Sequence, residues 1–435
     1  MRRRAPSLAR FYAGPPHTGC FPPDSFTGFA LRPPTFEPNH TTTRLTNSHP
    51  MLTPPPLSLY VHLPWCVRKC PYCDFNSHAQ KGALPFDDYI DALIRDLEYD
   101  LPLVWGRTVH SVFFGGGTPS LFAPEHIDRF LQHASARLRF APGLEVTLET
   151  NPGTVEHGPF AGYRAAGVNR LSFGVQSFDD GCLERLGRIH SSGDAERAVK
   201  AAQDAGFDSL NLDLMYALPG QTLAMAEADI DRAIALQPQH LSHYQLTLEP
   251  NTLFAAKPPP GIPDDDLGWD MQERCQARMA EAGFGQYEVS AYAQPGRQCQ
   301  HNLNYWTFGD YLGIGAGAHG KLTIGGEQRI LRRWKVKHPA AWLRDAGTPA
   351  GIGGDEDIGP DRRPFDFMLN ALRLNAGFGL DLFEKRTGLP PAAIAEELAT
   401  AQARGWLEVS PEGHVRPTEL GRRFTNDVIG LFLHG

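Results

Sequence analysis

The chain has 435 residues, 41% hydrophobic and 21% charged, with a formal net charge of −8. That composition is ordinary for a globular protein of two or three domains with a sizeable core, and the acidic balance argues against nucleic acid as the main partner, because holding phosphates needs a basic face. No apolar run approaches the ~20 residues of a membrane-spanning helix, and Cys20, Cys182, Cys275 and Cys299 lie scattered without framework spacing, which points to reduced thiols and a cytoplasmic protein.

The first 50 residues contain nine prolines and six arginines against two acids. A segment of that kind cannot bury a core, so residues 1–52 are expected to form a disordered Pro/Arg-rich extension. No hydrophobic stretch follows Arg2-Arg3-Arg4, so a secretory signal is not indicated, and Met51 is the expected start of the folded protein. From residue 57 onward, short apolar runs alternate with helical stretches, the signature of parallel βα units. Strands are predicted at 57–63, 111–114, 144–149, 170–174, 209–214 and 240–246. In the first helical stretch Ile90, Leu93, Ile94 and Leu97 form one apolar face. Six such units predict an α/β fold with an incomplete (β/α)6 barrel over residues 53–300.

Residues 301–346 read as an extension of the barrel, with a strand at 330–335 and a short helix at 339–344. The Gly, Pro and Asp-rich stretch 347–360 reads as a linker. Three helical segments, a hairpin across 406–415 and a last helix ending near 433 then predict a winged-helix-like domain over 361–435. That domain holds nine basic and ten acidic side chains, so it lacks the electrostatic footprint of a DNA reader and is expected to pack or to dock a partner.

The stretch richest in chemistry follows the first strand: Cys66, Cys70 and Cys73, at C-x3-C-x2-C spacing. Three thiolates on a short loop can hold a four-iron cluster and leave one iron open for a ligand. The alternatives are a structural zinc loop or cysteines that are merely buried; zinc would want a fourth Cys or His at a regular offset, and none follows within the loop. The stretch resembles the radical S-adenosylmethionine (SAM) superfamily, in which the SAM amino and carboxylate groups would take the free iron. Functional groups in such folds gather at the carboxyl ends of strands. There the chain carries Gly115-Gly116-Gly117-Thr118, Glu149-Thr150-Asn151, Gly174-Val175-Gln176 and Asn211-Leu212-Asp213. Any one of these could be a turn or a cap.

From Tyr60 to about residue 320 the chain resembles the branch containing oxygen-independent coproporphyrinogen III oxidase and the HemW heme chaperones. The resemblance implies SAM contacts at Tyr60, Tyr72, Gly116, Gly117, Thr118, Glu149, Gln176, Arg188 and Asp213; Arg188 would pair with a carboxylate, or else be a surface arginine. The oxidase has a further cysteine directly after the triad, where this chain has Asp74-Phe75. It carries instead His301-Asn302-Leu303-Asn304-Tyr305-Trp306, which matches the H-N-x-x-Y-W motif of HemW. The resemblance therefore implies a heme chaperone that binds a 4Fe-4S cluster, SAM and heme, with His301 as the expected heme ligand and His62, His190, His243 and His319 as competitors. Its partner would be an unidentified heme-acceptor protein, respiratory in one version, with peripheral contact at the inner face of the membrane. Two other classes stay open: a radical SAM oxidoreductase acting on a porphyrinogen, and a DNA-binding regulator with a redox cluster, which the charge balance disfavours.

Overall fold

The structure, a computed structural model, describes residues 51–153 and 160–433. The expected extension lies outside them up to residue 50. Its predicted boundary at 52 is too late: Leu52 is buried, and its N–H donates to Gln328 Oε1 at 2.8 Å.

Six parallel strands pair in chain order: β1 (Leu57–Leu63), β2 (Thr108–Gly116), β3 (Arg139–Thr150), β4 (Arg170–Gln176), β5 (Leu210–Tyr216) and β6 (His240–Gln245). Alternation along β1 explains the architecture. Leu57, Leu59, Val61 and Leu63 join the main core under the helices, while Ser58, Tyr60 and His62 take the other face, towards the barrel interior. The first helix, α1 (Phe86–Asp100), buries Ile90, Leu93, Ile94 and Leu97, the face its periodicity predicts.

The sheet is larger than six strands. Beyond β6 it continues antiparallel through β7 (Gly285–Glu288) and β8 (Ala291–Ala293), with β8 next to β6. On the other side β9 (Asp310–Ile314) runs parallel to β1, followed by the antiparallel β10 (His319–Ile324), β11 (Arg329–Lys335) and β12 (Ile352–Asp357). The result is one twelve-stranded sheet whose end strands, β12 and β7, do not meet, so the barrel stays open.

Strand β12 falls in the stretch expected to be a linker. Its glycines are there for packing: a Cβ on Gly354 would lie 2.2 Å from the Trp334 ring, so the indole requires bare backbone opposite it. Its acids face arginines, with Arg333–Asp355 at 2.6 Å and Arg329–Asp357 at 2.9 Å. Behind this edge Lys335, 1% exposed, reaches Asp96 at 2.5 Å and Asp100 at 2.7 Å. Asp96 also accepts the Gly315 N–H at 3.0 Å, which fixes the turn behind His62. Leaving such buried charges unpaired would cost about 3–5 kcal/mol.

The C-terminal unit has the expected helices and small antiparallel sheet, in which Phe378–Gly379 and Leu407–Val409 flank His414–Pro417. It touches both free edges of the open barrel, with Arg362 meeting Glu356 of β12. Asp366 meets Arg332 at 3.3 Å on one side; on the other Arg373 meets Glu288 at 3.1 Å and Asn375 N–H donates to the Tyr287 carbonyl at 3.0 Å.

Candidate functional site

The cysteine loop leaves β1 at its carboxyl end and is closed by a short parallel pairing of Trp65–Cys66 with His78–Ala79. Within it Lys69 Nζ donates to the carbonyls of Phe75 at 2.9 Å and Ser77 at 3.2 Å. Cys66 is buried, whereas Cys70 and Cys73 are half-buried. Burial pushes the Cys66 thiol up and the Cys73 thiol to about 11. Thiols in such surroundings lose their protons to a metal rather than to water.

The glycines at the end of β2 have a steric reason. Gly116 has φ +118°, and a Cβ there would fall 2.6 Å from the His62 ring; on Gly117 it would fall 2.5 Å from the Trp65 carbonyl oxygen. The cysteine loop therefore crosses directly over bare backbone, tied by Gly117 N–H to the Leu63 carbonyl (2.8 Å) and Thr118 N–H to the Trp65 carbonyl (2.7 Å). Gly116 N–H donates to Glu149 Oε2 at 3.2 Å.

Further round the rim, Gln176 holds an uncommon φ of +71° and its side-chain oxygen accepts from the Tyr244 hydroxyl at 2.8 Å. Asp213 accepts from Asn211 Nδ2 at 2.8 Å and from Ser172 Oγ at 3.4 Å. Arg188 Nη2 donates to the Gly174 carbonyl at 2.5 Å and Nη1 approaches Cys70 Sγ at 3.6 Å, while its buried Nε has no partner. Burial opposes the charge on Arg188, but Tyr72 and Cys70 beside it outweigh that and hold its pKa above the ordinary value.

These groups surround one cavity of about 970 Å³, counting its open mouth. Cys66, Cys70 and Cys73 line it, as do Tyr72, Gly116, Gly117, Thr118, Glu149, Gln176, Arg188 and Asp213. Tyr60 does not. It lies below, hydroxyl bonded to His62 Nδ1 at 2.9 Å and ring stacked on Phe113. The lining also includes Ser172, Met215, Tyr244 and Glu249, which the sequence did not single out; Tyr244 lies within a predicted strand and could have been read as another strand-end group.

His301 sits elsewhere. It belongs to the helix α2 (Gln300–Trp306), whose first N–H groups, those of Gln300 and His301, donate to the Glu145 carboxylate at 3.1 and 3.0 Å. Its ring is 1% exposed, bonded through Nδ1 to Ser111 Oγ at 2.9 Å and through Nε2 to the Tyr305 hydroxyl at 3.3 Å, and stacked on Phe113 at 4.9 Å. Burial, with Arg170 nearby, lowers its pKa to about 3. As placed, neither ring nitrogen is offered to a ligand. Of the competing histidines, His62 is bonded to Tyr60 and to the Asn76 carbonyl, His190 and His243 are buried, and His319 stacks on Trp334 at 6.2 Å.

Residues 60–233 match the radical SAM superfamily and residues 358–424 the HemN C-terminal domain. The heme chaperone HemW of Escherichia coli is 49% identical over 383 residues, covering 88% of this chain and 100% of that one; HemW of Haemophilus influenzae is 48% identical, covering 87% and 98%. This chain belongs to the HemW heme chaperone family. Its fold is also that of the E. coli coproporphyrinogen III oxidase HemN, with a TM-score of 0.73 at 24% identity over 87% of this chain and 90% of that one.

Membership of the radical SAM superfamily implies a 4Fe-4S cluster and SAM for a HemW chain, and the donor set fits both. The three thiols line one wide cavity, as a multi-iron group requires. The partnerless Arg188 Nε and the bare glycine turn fit a polar organic ligand beside it. Among the described residues no helix is long and apolar enough to cross a membrane, and none of the described cysteines is in a disulfide.

Proposed function

We propose that this chain is a heme chaperone: it binds a 4Fe-4S cluster through Cys66, Cys70 and Cys73, binds SAM in the adjoining cavity, and passes heme to an acceptor protein. The observation that carries the cofactor reading is the convergence of the three thiols and eight of the nine expected SAM contacts on one cavity. Each residue has a definable task. Glu149 and Asp213 offer carboxylates to the hydroxyl and ammonium groups of SAM, Arg188 offers its free N–H to a carboxylate, and the Gly116–Gly117 backbone lets the ligand come close. Tyr60 acts from beneath by orienting His62. The cluster, when bound, supplies an open iron and a source of single electrons.

Heme enters through kinship with the HemW chaperones. Asp74, standing where the oxidase has its further cysteine, weighs against porphyrinogen turnover. The reading also places the protein in the cytoplasm with an acceptor of respiratory type. The test is an anaerobic hemin titration of cluster-loaded protein followed by Soret absorbance, run beside an assay with coproporphyrinogen and a reductant. Saturable binding near one heme per chain without decarboxylated product is expected. Product formation, or no saturable binding, would overturn the chaperone reading.

A further inference from the structure

A buried carboxylate stays ionised, and aimed at a ligand, when hydrogen-bond donors behind it hold the charged form. Asp213 lines the cavity although it is 3% exposed. The donors that hold it stand on the inner face of three neighbouring strands. Ser172 of β4 is the register partner of Asn211 of β5, Asn211 that of His240 of β6, and Asp213 that of Ser242. All five side chains are buried.

Each hydrogen bond among them has one direction. Asn211 Nδ2 donates to Asp213 Oδ1 and to Ser172 Oγ, both at 2.8 Å. A carboxylate only accepts, so this contact fixes which end of the amide is nitrogen and makes Asn211 Oδ1 the acceptor. Ser242 Oγ donates to that oxygen at 3.1 Å, and His240 Nδ1, 2.6 Å away, must carry a proton towards it as well. Burial and the nearby Arg170 hold the His240 pKa well below its ordinary value, so the ring is neutral, and its Nε2 accepts from the Tyr287 hydroxyl at 2.8 Å. Ser172, already accepting from Asn211, turns its own proton to Asp213 Oδ2 at 3.4 Å.

The donors therefore run one way, from Tyr287 through His240 and Asn211 to the Asp213 carboxylate. In a low-dielectric interior such a chain polarises along its length and strengthens its last bond, the one to the charge. Reversing the Asn211 amide would set its oxygen against the carboxylate, two acceptors with no proton between them, and the imidazole N–H opposes that reversal from the other side. Neither His240 nor Asn211 lines the cavity, so both act on a ligand only through Asp213.

We propose that His240, acting through Asn211, is a positioning residue for SAM binding that holds the Asp213 carboxylate towards the cavity. This rests on the assignment of the cavity to SAM and deepens it.

The test is SAM affinity by calorimetry on the cluster-loaded full chain, with thermal unfolding alongside, for wild type, His240→Leu, His240→Asn, Asp213→Ala and the His240→Leu/Asp213→Ala double variant. His301→Leu, which also removes a buried imidazole but one bonded to Ser111 and Tyr305, is the control for lost stability. His240→Leu should bind SAM about tenfold more weakly. His240→Asn, whose amide can place a donor where Nδ1 stands, should recover most of the affinity, and in the Asp213→Ala background His240→Leu should cost nothing further. If His240→Leu does not fold, Tyr287→Phe, which frees the imidazole to carry its proton on Nε2, carries the same cycle with a severalfold loss that vanishes in Asp213→Ala. Wild-type affinity in His240→Leu, or in Tyr287→Phe where that variant is used, would overturn the proposal. So would an equal loss with and without Asp213, or an equal loss in His301→Leu, since a purely structural role gives either. Wild-type affinity in Asp213→Ala would overturn it too and leave SAM to the other contacts. Absence of SAM binding in wild type would remove the cavity assignment and the positioning role together.

Discussion

The two ends of the barrel are built from the same kinds of side chain and use them in opposite ways. At the carboxyl end Glu149, Arg188 and Asp213 line an open cavity, and Arg188 keeps an N–H without a partner. Towards the other end, half-buried Glu145 and the buried Ser111, His240 and His301 are as polar, yet they are bonded to one another or to their neighbours. His240, for example, bridges Asn211 Oδ1 at 2.6 Å and the Tyr287 hydroxyl at 2.8 Å. Glu145 and Glu149 stand on one strand, four residues apart, and serve these different ends. A polar group in the barrel is thus a candidate for ligand binding where it lines the open cavity, even when protein neighbours share it as they do Glu149 and Asp213, and a structural pin where its partners enclose it.

The sharpest break in this comparison comes at the cysteines. Replacing Cys66, Cys70 and Cys73 together by Ser should abolish iron and sulfide retention after anaerobic reconstitution, measured by elemental analysis, while the unfolding temperature of the metal-free protein stays within a few degrees. Stoichiometric iron in the triple variant would move the cluster elsewhere. Next in size is Arg188→Met, which removes a charged donor from the cavity. A lost charge-assisted hydrogen bond is worth about 1.5–3 kcal/mol, so SAM affinity by calorimetry should fall by roughly tenfold to a hundredfold, with the fold kept.

At the closed end the loss should appear in stability instead. His301→Leu leaves Ser111 and Tyr305 without their ring partner, and urea denaturation should show a loss of about 1–3 kcal/mol with SAM affinity unchanged. The smallest effect is a pH slope. Burial lowers His62 and His190 to about 4, and His243 and His301 to about 3. Below the unfolded value of ~6.5 the unfolded chain takes up protons that the native state refuses, so stability falls as pH drops from there towards the folded values. Each such histidine adds a slope of about 1.4 kcal/mol per pH unit. Denaturation midpoints between pH 6.5 and 5 should therefore slope less steeply in His301→Leu than in wild type, and equal slopes would mean that His301 is not buried neutral.

Much of the open end was legible because it is local. Cys66, Cys70 and Cys73 declare themselves by spacing, and Glu149, Gln176 and Asp213 by falling at the ends of apolar runs. What escaped depends on distant pairings. β9 joins β1 across some 250 residues of chain, so no local pattern could reveal the added parallel strand. The glycines and aspartates of β12 read as linker because the indole and the arginines they face lie on β11. Tyr60 and His301 were placed by motif, which gives a residue's position in the chain but not the depth of its ring in the barrel. Asn76 carried no signal at all, since its side chain works by donating to the backbone carbonyls of Ala316 and Lys337, both at 2.9 Å and far away in the chain.

The contrast between the two ends is tested most directly by measuring Glu149→Ala and Glu145→Ala side by side, each for SAM affinity by calorimetry on cluster-loaded protein and for thermal unfolding. Glu149→Ala should lose SAM binding and keep its unfolding temperature, and Glu145→Ala should bind SAM normally and unfold at a lower temperature. If Glu149→Ala binds SAM like wild type, or if Glu145→Ala alone loses it, the open cavity is not the cofactor site and the division between the two ends of the barrel is wrong.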